Sequence, residues 1–136
     1  MNLYTSLELL ATSYEMQNCI RFLQIRPKFV MQFYSPPQCH IAQSSKKCIL
    51  SIDASGNFVK SIPNHPKSEI KENPKRIFLY LITLTTDRGN KNEKSINIAQ
   101  MLSNAHDSGT VGHFLDSFKT DTKVSHYAYT LFKKIN

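Results

Sequence analysis

Asp53 is the residue in this chain placed to do chemistry. It follows an apolar run, Cys48-Ile49-Leu50-Ser51-Ile52, and precedes Ala54-Ser55-Gly56-Asn57. A short apolar run bounded by Gly and Asn reads as a buried strand that ends in a turn, and Gly56-Asn57 tolerates the positive φ of a tight reversal. The expectation is strand, turn, and a second strand from Phe58-Val59, with Asp53 where the first strand leaves the core. A carboxylate there can hold a divalent cation without full burial. The alternative role is an acceptor for N–H groups of the turn. Two-metal phosphoryl transfer needs several carboxylates on one spot, with the cations about 3.5–4 Å apart, and Mg²⁺ needs hard oxygen ligands. Asp87 is the next acid in reach by sequence. Asp107, Asp116 and Asp121 fall in caps or on helix surfaces by pattern.

Other chemistry is less well supported. Cys39-His40 and Cys48 offer three potential zinc ligands close in sequence, with His65 beyond, but they lack a Cys-x₂-Cys pair, and Cys48 suits a core position. No Cys–His nucleophile motif or Gly-rich phosphate loop is present. His106 and His113 read as locally hydrogen-bonded or exposed. Arg21, Arg26, Lys28, Lys46, Lys47, Lys133 and Lys134, interleaved with Tyr and Phe, suit phosphate contacts, which need only charge and reach. The rival reading is a solvated basic surface. The formal net charge of +7 on 136 residues favours a polyanion, nucleic acid before membrane.

The elements that must position these residues form one domain by length. Met1–Tyr14 carries Leu3, Leu7 and Leu10 on one helical face. Glu15–Ile25 is ambiguous, and Pro27 interrupts any helix. Phe29–Tyr34 alternates as a strand and stops at Pro36-Pro37. Gln38–Lys46 reads as a polar connector, Pro63–Pro66 as the close of the second strand, and Lys67–Lys75 as an exposed loop. Arg76–Thr85 is the strongest strand signal, ended by Asp87–Asn90 and a charged turn over Lys91–Lys94. Ser95 caps a predicted helix with Ile98, Met101, Leu102 and Ala105 at helical spacing. Asp107 or Ser108 caps another, with Val111, Phe114, Leu115 and Phe118. Val124–Ile135 is undecided between helix and strand. Three sequential strands followed by helices suggest an antiparallel meander covered on one face, and a further strand after the helices would return parallel beside the first.

Three cysteines without paired spacing fit a reducing compartment. The N-terminus lacks a signal-peptide pattern, and the longest apolar run, Ile77–Leu84, falls short of the ~20 residues of a membrane helix. A soluble, intracellular protein without a membrane partner is expected.

Ser51-Ile52-Asp53-Ala54-Ser55-Gly56 resembles the Asp-Ala-Thr-Gly strand end of a family of eukaryotic, insect-type DDE DNA transposases. Phe29-Val30-Met31 through Ser35-Pro36-Pro37-Gln38 resembles the segment before it, and Lys75–Tyr80 the following strand. Met101-Leu102-Ser103, His106-Asp107 and Phe114-Leu115 resemble the helical stretch beyond. The similarity spans Phe29 to Phe118. It implies an α/β (α+β) fold, an incomplete RNase H-like domain with a three-stranded antiparallel meander and covering helices. The organisation expected is a helical segment over 1–28, a partial RNase H-like core over 29–122 and a divergent tail over 123–136. Asp53 matches the first catalytic carboxylate and metal ligand, and Mg²⁺ or Mn²⁺ would be the ancestral cofactor. DNA is the implied partner, contacted by Arg26, Lys28, Lys46 and Lys47, and the location nuclear or cytoplasmic. The departures are equally specific. The family carries a second Asp on a strand after the helices and a third acid far downstream, whereas Lys123–Tyr129 holds no acid and Ser55 replaces Thr. A truncated transposase-derived protein, inactive alone and prone to self-association through an open sheet edge, is the expectation. The alternatives are a non-catalytic interaction module on the same scaffold and a remnant without function.

Overall fold

The computed structural model describes residues 3–13, 18–44, 48–59, 76–86, 95–123 and 128–130. Three helices and six strands follow in the order α1 (Leu3–Thr12), β1 (Ile20–Gln24), β2 (Val30–Phe33), α2 (Pro36–Ser44), β3 (Cys48–Val59), β4 (Ile77–Thr86), β5 (Ser95–Ser103), α3 (Ser108–Thr122) and β6 (Ala128–Thr130). The strands form one sheet ordered β1-β2-β5-β4-β3-β6. All pairings are antiparallel except that of β6, which lies parallel to β3 with Leu50 opposite Tyr129. The fold is α+β, and an antiparallel meander is present as β3, β4 and β5. Three further strands extend it.

One face of the sheet carries the core. Val30, Leu50, Ile52, Tyr80, Ile82, Leu84, Ala99 and Met101 are buried there with Val111, Phe114 and Phe118 of α3 and Cys39 and Ala42 of α2. The α3 spacing predicted from sequence is the observed one, and Asp107 is its N-cap. Its Oδ1 accepts the Thr110 amide at 2.7 Å and the Thr110 hydroxyl at 2.9 Å. Both bonds favour the ionised carboxyl and hold the Asp107 pKa below the usual range. Lys123 ends the helix in the left-handed conformation, φ 54°.

Four expectations are corrected. Residues 48–59 are one strand without an internal turn. Ser55 pairs with Leu79 and Val59 with Ile77, so three residues of β3 bulge against Phe78. Neither Gly56 nor Asn57 has a positive φ. The glycine serves a close approach, since a Cβ there would lie 2.3 Å from Phe78 Cε1. Asp53 consequently sits within β3, opposite Leu81, and not at a strand end.

The predicted helix after Ser95 is β5. Ile98 and Met101 share the buried face because a bulge intervenes: Ile82 pairs with Ala99 and Thr83 with Asn97, leaving Ile98 as the extra residue. The bulge shifts strand parity by one, and that shift imitates a helical i, i+3 spacing.

The polar connector after Pro37 is helix α2 over most of its length. Ser35 and Gln38 form a capping box, with the Ser35 amide donating to Gln38 Oε1 at 2.9 Å and the Gln38 amide to Ser35 Oγ at 3.4 Å. Pro36 takes the first helical position, where its missing N–H costs nothing. Finally, the segment expected to be helical through residue 28 is helical over Leu3–Thr12 but not throughout. Ile20–Gln24 is a strand of the same sheet. The expected turns and loops at Pro63–Pro66, Lys67–Lys75 and Asp87–Lys94 lie outside the described residues.

Candidate functional site

Asp53 is solvent-exposed, and its Oδ1 accepts the amide of Ala54 at 3.0 Å. The carboxylate therefore has the bland partner expected for it, one residue along rather than across a turn. Alternation from buried Ile52 puts it on the face away from α3, in a polar file with Ser51 and Ser55. Its strand is flanked by β6, the parallel neighbour that returns after α3. That neighbour is Ala128-Tyr129-Thr130 and offers no acid, and the residues after it, Leu131-Phe132-Lys133-Lys134-Ile135-Asn136, contain none either. Asp107 caps α3, Asp121 is bonded to a tyrosine, and Asp87 lies outside the described residues. Among the described residues no three His, Cys, Asp or Glu side chains come close enough to hold a metal ion. Among the described residues, the donor set around Asp53 does not fit a two-cation centre. Of the possible zinc ligands, Cys39 is buried on α2 and His40 is exposed beside it with its ring at Ser44, while the Cys48 side chain and His65 are outside the described set.

Of the basic candidates, Arg26 and Lys28 share the β1–β2 connection. Arg26 is exposed in the β1–β2 connection, close enough to Tyr4 to act on its hydroxyl. Lys28 donates to Thr110 Oγ1 at 2.7 Å and lies 3.8 Å from Asp107 Oδ2. Its ammonium ties that connection to the first turn of α3. Lys46 and Lys47 lie outside the described residues. Six of the 17 basic residues fall in the described part against five of the ten acidic ones, so nearly all of the +7 charge resides in the remaining segments.

Two polar clusters were not legible as sites in the sequence. His106 Nε2 lies 3.2 Å from the Arg76 carbonyl oxygen, which can only accept, so Nε2 carries the proton. In the neutral ring Nδ1 then accepts the Tyr80 hydroxyl at 2.9 Å. Phe78 meets the same imidazole edge to face at 4.0 Å. Burial and the nearby Asp107 charge push the Tyr80 phenol up. His113 likewise bonds Gln32 Nε2 through Nδ1 at 2.9 Å. Both histidines are exposed, as one of the two expected readings has it, and their hydrogen bonds run to distant elements rather than locally. Gln32 Oε1 is buried without a donor, at a cost of about 1–3 kcal/mol.

The second cluster joins β1, β2, α2 and α3. The buried Tyr34 hydroxyl donates to Asp121 Oδ2. Arg21 donates from Nε to the Tyr34 carbonyl at 3.0 Å, lies over the Tyr34 ring at 5.0 Å, and reaches Cys39 Sγ at 3.6 Å. Burial pushes the Cys39 thiol up despite Arg21, so it is no activated nucleophile. Burial and the bond to Asp121 raise the Tyr34 phenol far above its ordinary value. A tyrosine whose pKa is raised on folding contributes stability that is present below the unfolded value of about 10 and is lost as pH rises beyond it. Stability should fall above pH 10 by up to roughly 1.4 kcal/mol per pH unit for this group. Tyr34→Phe should cost about 1–2 kcal/mol at neutral pH through the lost bond and flatten that alkaline decline. Urea midpoints measured between pH 7 and 11 report both effects, and an unaltered alkaline slope in Tyr34→Phe would assign the decline elsewhere.

Among the described residues, no helix is long and apolar enough to cross a membrane. No family model matches the chain, and neither a curated protein nor a solved structure matches it.

Proposed function

We propose that this chain is a transposase-derived, RNase H-like domain that binds DNA and does not catalyse strand transfer. The observation that carries the reading is the order β5-β4-β3-β6, with a three-stranded meander, a helix, and then a strand returning parallel to the first strand of the meander. A strand returning parallel beside the one that holds Asp53 supports this reading, with the strand β5 standing where the first of two helices is expected. Asp53 lies on the first of those strands, as the ancestral carboxylate would. The returning strand carries Ala128, Tyr129 and Thr130 where the family holds its second acid. Catalysis is lost in this reading because the strand returning beside Asp53 brings no second carboxylate, and among the described residues no group of acids forms a cage for Mg²⁺ or Mn²⁺. DNA binding rests on charge, which requires no converging geometry.

The test is quantitative binding of the intact chain to duplex DNA across salt concentrations. Log K should fall linearly with log salt, Asp53→Ala should leave affinity and slope unchanged, and Lys46→Ala/Lys47→Ala should reduce the slope by about 2. Absence of binding at low salt would remove the DNA assignment. In Mn²⁺, supercoiled plasmid should stay intact, and nicking that disappears in Asp53→Ala would restore the enzyme.

A further inference from the structure

The corner where β5 turns into α3 is tied to β4 through one imidazole, and two hydrogen bonds fix the protonation state of that ring. The Arg76 carbonyl, 3.2 Å from His106 Nε2, can only accept, so Nε2 carries a proton. The Tyr80 hydroxyl lies 2.9 Å from Nδ1, which can accept it only while the ring is neutral. His106 is exposed, whereas Tyr80 is 3% exposed. A solvent proton therefore reaches the ring directly, while the hydroxyl that depends on the ring belongs to a core residue.

Protonation turns Nδ1 from an acceptor into a donor. The Tyr80 oxygen then has to accept from Nδ1–H, and its own proton loses its acceptor. Among the described residues that hydroxyl has no other hydrogen-bond partner. A buried donor left without an acceptor carries its full desolvation penalty. The ring cannot shift freely within the corner to relieve it. It meets Phe78 edge to face at 4.0 Å, and Phe78 is backed by Gly56 of β3. Relief comes when the corner lifts from β4.

The titratable and charged groups around the ring, among the described residues, are Tyr80 of β4, Arg76 just before it, and Asp107, which caps α3 and acts on the Tyr80 phenol. Gly56, the residue that β3 brings to this cluster, carries no charge. The Asp107 carboxylate favours a positive ring and the Arg76 guanidinium opposes one. Asp107 is held ionised by its bonds to Thr110, and Arg76 is a permanent cation. Both keep their charge over the range in which histidine titrates, about pH 5–8. They set the midpoint of the change and not the direction in which Tyr80 must turn.

We infer that His106 is a pH-sensitive latch, whose neutral ring holds the β5–α3 corner to β4 and whose protonation releases it. This latch needs no nucleic acid.

The pH dependence of the Tyr80→Phe penalty tests it. Phenylalanine keeps the aromatic ring in the core and removes the hydroxyl that protonation orphans. Urea unfolding is compared at about pH 7.5 and about pH 5.5, one unit either side of the ordinary histidine value of about 6.5. At the higher pH, Tyr80→Phe should be less stable than wild type. At the lower pH, the wild-type-to-variant ratio of folding constants should drop by about 10-fold. In a His106→Gln background, whose amide donates and accepts without titrating, the penalty should be the same at both pH values. A penalty that does not change with pH when His106 is present overturns the latch, because a tyrosine that only packs behaves that way. A pH-dependent penalty that persists in His106→Gln overturns it too, since another group would then be titrating. Should Tyr80→Phe fail to fold, amide exchange of wild type decides. After correction for intrinsic exchange rates, protection over residues 104–110 should fall about 10-fold at the lower pH relative to residues 114–118. An unchanged ratio refutes the latch.

Discussion

Phe118→Ala should destabilise the domain by about 3–5 kcal/mol, the range for truncating a fully buried aromatic side chain. Phe118 is 0% exposed and meets the Tyr34 ring edge to face at 5.6 Å. Its removal opens a void at the junction of α3 and β2, beneath the Tyr34–Asp121 bond. The surrounding groups cannot collapse into that void freely, because Tyr34 is also held by Arg21 through its carbonyl and its ring. For a domain whose total stability is on the order of 5–15 kcal/mol, this is roughly a fifth or more of the whole. Urea unfolding should show a lower midpoint with an unchanged slope. A loss below about 1 kcal/mol would mean that α3 is not docked through this residue.

Gly56→Ala is the second large effect. Alanine is otherwise favoured in a strand by roughly 0.5–1 kcal/mol, through its smaller conformational entropy. Here the added methyl would meet Phe78 Cε1 at 2.3 Å and Cδ1 at 2.9 Å. The ring cannot swing aside at no cost, because His106 packs against it and is itself held by Tyr80 and the Arg76 carbonyl. Overpacking of this kind costs about 1–3 kcal/mol, and the upper part of that range applies because three partners must shift together. Adding Phe78→Ala should remove most of the penalty. A double-mutant cycle from urea midpoints should give a coupling of at least about 1 kcal/mol, and additive effects would show that the clash is relieved elsewhere.

These two positions also mark what the sequence could and could not convey. Phe118 was legible: Val111, Phe114, Leu115 and Phe118 repeat at helical spacing after a good cap, and α3 forms where that pattern places it. The strand from Ile77 was legible for the same reason, a long β-branched and aromatic run. Gly56 was misread because glycine followed by asparagine signals a reversal as well as a close approach, and only the position of Phe78 decides between them. Ile98 and Met101 were misread because a single bulge gives a strand the spacing of a helix. The Ser35–Gln38 capping box was in plain view, but two prolines drew attention to the end of β2 and away from the start of α2. β1 gave no signal of its own: Ile-Arg-Phe-Leu-Gln shows no clean alternation, since its bulge turns Arg21 inward. For the candidate site, the lack of an acid from Lys123 to Asn136 is readable directly in the sequence. The hydrogen-bonded settings of His106 and His113 depended on partners 26 and 81 residues away, beyond the reach of any local pattern.

The parallel pairing of β6 has a consequence for how the chain is made. Ile49 is opposite Ala128, so one side of β3 has to wait for nearly eighty further residues before its neighbour exists. At about 5–20 residues per second, that side stays open for roughly 4–16 s on a translating ribosome. The closing contact arrives after the meander and α3 have formed, and it gains only three residues of ladder for a large loop entropy. During vectorial synthesis β3 is therefore the strand most exposed to wrong pairing. Slower elongation at any point between β3 and β6 lengthens that interval and should lower the yield of folded protein.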